Sequence, residues 1–126
     1  MSPDVLSRRA LNRATLARQL LLERADLPIV DVVGHLVGMQ AQVPHNPYLA
    51  LWSRLAAFDP ADLSARLEDR SLVRIVVMRG TIHLVTADDA LLLRPLVQPV
   101  LDGEMARHPD YRPKLAGVDV PASLGR

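Results

Sequence analysis

One stretch of this chain breaks the periodicity of everything around it, and that contrast limits the fold more than any other feature. From Leu72 the apolar pattern stops recurring at helical spacing. Val73 to Met78 reads VRIVVM and is β-branched, Arg79-Gly80 interrupts it, and Thr81 to Val85 reads TIHLV and alternates. Alternation on both sides of a glycine-containing break predicts a β-hairpin spanning Arg74 to Val85. Arg is a poor first residue for a tight primed turn, so the residues leave the turn type open.

The rest of the chain has helical spacing, punctuated by prolines. Leu6, Leu11, Leu16, Leu20 and Leu22 lie among Arg and Gln in a Gly- and Pro-free stretch from Ser7 to Arg24. This predicts a helix with an apolar stripe, capped by Ser7. Pro28 is placed to open a second helix in which Ile29, Val33, Leu36 and Gln40 share a face, ending near Val43-Pro44. A third helix starts near Asn46-Pro47 and carries Leu49, Trp52, Leu55 and Ala56, with the Leu49 and Trp52 stripe expected in the core. Asp59-Pro60 reads as a cap and first-turn proline for a short helix to Glu68. Thr86 to Asp89 resembles a capping box opening a last helix, which Pro95 and Pro99 should kink or end. Asp88 and Asp89 suit the positive field of that helix start. The expected fold is therefore mainly α with a small β-hairpin, in the order of a winged helix. The second and third helices would form the helix-turn-helix and the hairpin the wing. Residues 1–102 are expected to be this domain, and the polar 103–126 a linker or the truncated start of a next segment.

Composition narrows the function. With 126 residues, 49% apolar and 23% charged, the chain can bury a core and is not intrinsically disordered. Cysteine is absent, which excludes disulfides and thiol chemistry. The four histidines, His35, His45, His83 and His108, are scattered without metal-ligand spacing, so no metal is expected. Glycine patterns for nucleotide phosphates and the GxSxG elbow are missing, and no cofactor is expected. With no long apolar run, the expectation is a soluble, cytoplasmic protein without membrane contact. A net charge of +1 is too small to argue nucleic-acid binding by itself, although all but one of the 15 cations are Arg, the residue suited to phosphate.

Two spots carry polar chemistry. Gln40-Ala41-Gln42 places two amides about 200° apart on a helix but on one side of an extended segment, and Pro44 favours the extended form at Val43. The pair could converge as a site, or it could cap a helix end and satisfy loose backbone groups. Met78 to His83 is the second spot: Arg79 at a hairpin tip could reach a phosphate and His83 could add a donor, or the Arg is simply solvated.

LVGMQAQVPHNPYLALWSRL followed by LVRIVVMRGTIHLVTADD resembles the N-terminal part of the AlkZ/YcaQ-type winged-helix DNA glycosylases, a broad bacterial family. The likeness runs from about Leu6 to about Leu101 and covers roughly the first third of a family member. It rests on the Q-x-Q and M-R-G-T-x-H-L-V elements occurring in order. The resemblance implies binding to double-stranded DNA and hydrolysis of the N-glycosidic bond of alkylated bases. The catalytic glutamines of the family carry over to Gln40 and Gln42, and Arg79, His83, His45 and Asn46 are the candidate DNA contacts. The family's basic hairpin has no counterpart here, so the piece is expected to be an incomplete, inactive fragment of such an enzyme. The alternative function is a non-catalytic DNA-binding or regulatory module.

Overall fold

A computed structural model describes residues 5–118. Among them the chain order is α1 (Arg8–Arg18), α2 (Ile29–His35), β1 (Met39–Gln40), α3 (Asn46–Trp52), α4 (Pro60–Glu68), β2 (Leu72–Val76), β3 (Ile82–Thr86) and α5 (Ala87–Arg107). The predicted hairpin is β2 and β3, antiparallel with Arg74 opposite Leu84 and Val76 opposite Ile82. A third strand that sequence periodicity did not suggest, β1, pairs with the other side of β3 to give the sheet order β1-β3-β2. The result is mainly helical with a small antiparallel sheet and is winged-helix-like.

The cap signals act as expected. The Ser7 hydroxyl accepts the Ala10 N–H at 3.2 Å and Asp59 accepts the Ala61 N–H at 2.8 Å. Thr86 accepts the Asp89 N–H at 3.1 Å while its hydroxyl donates to the Asp89 carboxylate at 2.8 Å. Each satisfies a first-turn donor that has no partner inside its own helix.

Helix ends depart from expectation. Helix α1 stops at Arg18 instead of running to Arg24, because Leu20 turns to φ 55° and the Leu21 N–H closes on the Leu16 carbonyl at 2.8 Å. Helix α2 stops at His35 and never reaches Gln40. Val37, at φ 57°, donates to the Gly34 carbonyl at 3.0 Å, and Gly38 donates to the Val33 carbonyl at 2.9 Å. That is the Schellman arrangement, with valine where glycine usually stands. The helix-turn-helix assignment changes with it: β1 separates α2 from α3, and the consecutive pair is α3 and α4. Helix α5 passes through Pro95 and Pro99, and through Gly103, to end at Arg107. The prolines leave the carbonyls four residues earlier without their usual donors but do not end the helix.

The core is built from Ile29, Val32 and Val33 of α2, Leu51 of α3, Leu63 of α4, Leu55, and the sheet residues Met39, Leu72 and Leu84. Pro47, Leu51 and Leu55 are the inward positions of the third helix and its exit. Leu49 and Trp52, expected in the core, are instead 66% and 56% exposed, and the Arg24 guanidinium lies 4.6 Å from the Trp52 ring centre. Helix α1 buries no residue and is held through its C-terminal carbonyls. Arg54 donates to the Gln19 carbonyl and His35 to that of Arg18, both at 2.9 Å. Partial burial lowers the Arg54 pKa from its ordinary value. Helix α5 lies along the hairpin and leaves Leu91, Leu92 and Leu96 outward. No helix among the described residues is long and apolar enough to cross a membrane.

Candidate functional site

The Schellman turn at Val37-Gly38 delivers the chain in extended form to the free edge of β3. Met39 and Ala41 are buried, while Gln40 and Gln42 are exposed, so the two glutamines share one side as the extended alternative requires. Gln40 lies directly opposite His83. The Ala41 N–H donates to the Ile82 carbonyl at 2.8 Å, which makes the neighbouring Gln40–His83 pair a non-hydrogen-bonded one. In such pairs the Cα atoms are only about 4.5 Å apart and the side chains are closest.

The ladder changes one residue further on. The Ile82 N–H, in place of returning a bond to Ala41, donates to Oε1 of Gln42 at 3.1 Å. The Ala41 carbonyl takes instead the Arg74 guanidinium at 2.7 Å, reaching across from β2. A side-chain amide thus replaces one backbone carbonyl of the sheet, and an arginine closes the acceptor left over. Gln42 does part of what the capping alternative asks, although it caps a strand and not a helix. The Gln40 amide makes no side-chain hydrogen bond among the described residues.

His83, half-buried, is tied backward to its own strand. Its Nδ1 lies 3.0 Å from the Thr81 carbonyl oxygen and 3.5 Å from the Thr81 hydroxyl. Arg79 stands at the exposed tip of the five-residue connection from Val77 to Thr81, in the left-handed region at φ 55°, with Gly80 following at φ 67°. His45 and Asn46 are exposed at the start of α3, and neither hydrogen-bonds to the glutamines or to His83. The sheet therefore brings together Gln40, Gln42 and His83, while Arg79 and the His45-Asn46 pair flank them separately. Arg74 was missed by sequence reasoning. Its signal was a lone cation in the middle of the β-branched run VRIVVM, a long donor able to reach a neighbouring strand's carbonyl.

Among the described residues no group of three or more His, Asp and Glu side chains could hold a metal ion. No carboxylate hydrogen-bonds to the glutamines, Arg74 or His83 among those residues. The site is an amide-rich sheet edge beside a hairpin, and the chemistry of its two glutamines is that of positioning and of partial charges.

Fold and edge together define a winged-helix-like domain with paired glutamines at its outermost strand. Residues 33–125 match the sequence model of a family described as DNA glycosylase AlkZ-like, and the chain belongs to that family. It is 40% identical over 73 residues to an interstrand DNA cross-link repair glycosylase of Streptomyces sahachiroi, an alignment covering 58% of this chain and 20% of that protein. The solved structure of Streptomyces sahachiroi DNA glycosylase AlkZ superimposes with a TM-score of 0.63 at 31% identity, over 80% of this chain and 26% of the other. The chain spans about a fifth to a quarter of the length of these relatives.

Proposed function

We propose that this chain supplies the water-positioning glutamines of a DNA-repair glycosylase that hydrolyses the N-glycosidic bond of alkylated bases in double-stranded DNA. The observation that carries the proposal is the uncommitted Gln40 amide, exposed beside Gln42 on one side of an edge strand whose alternate residues are core. Family membership supports a DNA substrate.

The chemistry suits amides only for one type of leaving group. An amide has no useful basicity near neutral pH, so neither glutamine can itself take a proton. A base alkylated at N7 is already cationic and departs as a neutral molecule, so it needs little acid assistance. What remains is to hold a water at the anomeric carbon and to stabilise an oxocarbenium-like transition state. The two amide carbonyls can do both, Gln42 through the lone pair that Ile82 leaves free. In this reading the α3–α4 pair and the hairpin tip lie along the duplex, with Arg79, His45 and Asn46 as the contacts that carry affinity and His83 meeting the target nucleotide beside the glutamines. Residues 1–102 act as the first winged-helix domain, and residues 103–126, which begin within the last turns of α5, act as a linker or as the start of a next segment. The cross-link repair designation of the Streptomyces protein makes a bulky interstrand adduct a substrate to test beside simple N7-alkylguanine.

The cap formed by Gln42 favours a second reading, a non-catalytic DNA-binding module. Gln40→Ala separates the two in the full-length polypeptide that carries this sequence, because Gln40 contributes no side-chain hydrogen bond to the described fold. Single-turnover release of N7-methylguanine should fall about 10²–10³-fold, the scale of one preorganised polar group, with duplex affinity unchanged. Gln42→Glu preserves the acceptor for Ile82 and should remain folded and active. Equal release by wild type and the Gln40→Ala, Gln42→Ala double variant would leave the glutamines as structural groups.

A further inference from the structure

Resting on the excision reading, the geometry points to His83 as the group that takes the proton from the attacking water. The glutamines leave a gap in the chemistry. When water adds to the anomeric carbon, its oxygen forms the new C1′–O bond, and the C1′–N bond breaks with its electron pair passing to the base, which becomes neutral. One O–H bond of the water must also break, and an amide cannot accept that proton.

Three observations single out His83. It is the residue directly opposite Gln40 in a non-hydrogen-bonded antiparallel pair, so both side chains rise from the same face of the sheet. Cβ atoms in such a pair lie roughly 4.5–5.5 Å apart, within reach of one shared water. Second, its tautomer follows from its partners. The Thr81 carbonyl, 3.0 Å from Nδ1, can only accept, so Nδ1 carries the hydrogen. The nearby Thr81 hydroxyl does not oppose this, because its own proton is directed to the Met78 carbonyl at 3.2 Å. Third, Nε2 is left with its lone pair and makes no hydrogen bond among the described residues. The other side chains on this face of β2 and β3 (Val73, Ile75 and Val85) cannot accept a proton. A neutral imidazole with Nδ1–H tied back and Nε2 open is the form a general base requires. The proton moves from water to Nε2, leaving an imidazolium that returns it to solvent after the base has departed.

Two measurements test this. On the chain as it stands, long-range ¹H–¹⁵N correlation at alkaline pH should find His83 in the Nδ1–H form; an Nε2–H form overturns the assignment whatever the activity. In the full-length polypeptide, His83→Asn keeps an amide donor for the Thr81 carbonyl and removes the base. It should lower single-turnover release of N7-methylguanine from duplex DNA by about 10²-fold or more, with duplex Kd within twofold of wild type. Added imidazole should restore part of the rate in His83→Ala, which a purely structural role would not allow; His83→Gln replaces His83→Asn if the latter fails to fold. Full activity in His83→Asn while Gln40→Ala is dead overturns the role of His83 and leaves the glutamine reading standing. Loss of affinity instead of rate makes His83 a DNA contact only and overturns the proposal. If the wild type releases no base, both readings fall together.

Discussion

Gly38 is the hinge on which the glutamine edge depends, and the cost of giving it a side chain follows from its surroundings. Its φ of 106° is a conformation that L-residues rarely adopt. A Cβ there would lie 2.6 Å from Cγ1 of Val85 and 3.0 Å from the Leu84 carbonyl oxygen. Val85 is fully buried and cannot swing away, and the carbonyl belongs to the strand that pairs with β1. Backbone strain of this kind costs about 1–3 kcal/mol and overpacking of a filled interior about 1–3 kcal/mol. Gly38→Ala should therefore lose roughly 2–6 kcal/mol, a large part of the ~5–15 kcal/mol that holds a domain folded. Urea unfolding followed by circular dichroism measures the loss directly. The two contributions separate in a double-mutant cycle with Val85→Ala, which removes the closest contact but not the strained φ. Gly38→Ala should then cost only its backbone share and the approach to the Leu84 carbonyl, giving a coupling of about 1–3 kcal/mol. Additivity within ~0.5 kcal/mol would refute the clash with Val85 and leave φ and the Leu84 carbonyl responsible.

Three other perturbations read neighbouring parts of the structure. Arg74→Met removes the donor to the Ala41 carbonyl; because Arg74 is itself exposed and water can partly replace it, the loss should be only about 1 kcal/mol, but hydrogen exchange at the Ala41 and Ile82 amides should accelerate. Arg79→Ala should weaken duplex binding equally across sequences and lower the salt slope by about one unit, whereas an unchanged slope removes Arg79 from the interface. The Ser71 hydroxyl and N–H, with Arg66 adding to them, hold the Asp69 carboxyl below its ordinary pKa. A depressed folded value means stability that is present above the unfolded pKa of about 3.9 and lost as pH falls through the lower folded one. Asp69→Asn should accordingly flatten the acid side of the urea-midpoint profile, by a small amount because Asp69 is exposed; an unaltered profile counts against the link.

What could be read from sequence was what neighbouring residues decide among themselves. Ser7, Asp59 and Thr86 cap helices because a side-chain oxygen meets an N–H two or three residues on, and Pro28, Pro47 and Pro60 stand within a residue of helix starts for the same local reason. The hairpin announced itself through β-branched alternation, whereas for Gln40 and Gln42 the sequence left open both a helical placement and an extended one that puts them on a shared side. Tertiary structure decided the rest. Leu20 and Val37 reverse the chain at positive φ, a conformation whose sequence sign is normally glycine, so the ends of α1 and α2, placed by the following prolines, were misjudged. Strand β1 is two residues long and exists only because β3, more than forty residues later, offers it an unpaired edge. Trp52 and Leu49 are outside because the phase of α3 is set by Pro47, Leu51 and Leu55 against the core, a choice that a helical repeat alone leaves open. The surroundings of the glutamines belong to the same class. That Gln42 meets the Ile82 N–H, that Arg74 meets the Ala41 carbonyl and that Gln40 faces His83 are consequences of sheet register, and register is a relation between segments that no single stretch of sequence contains.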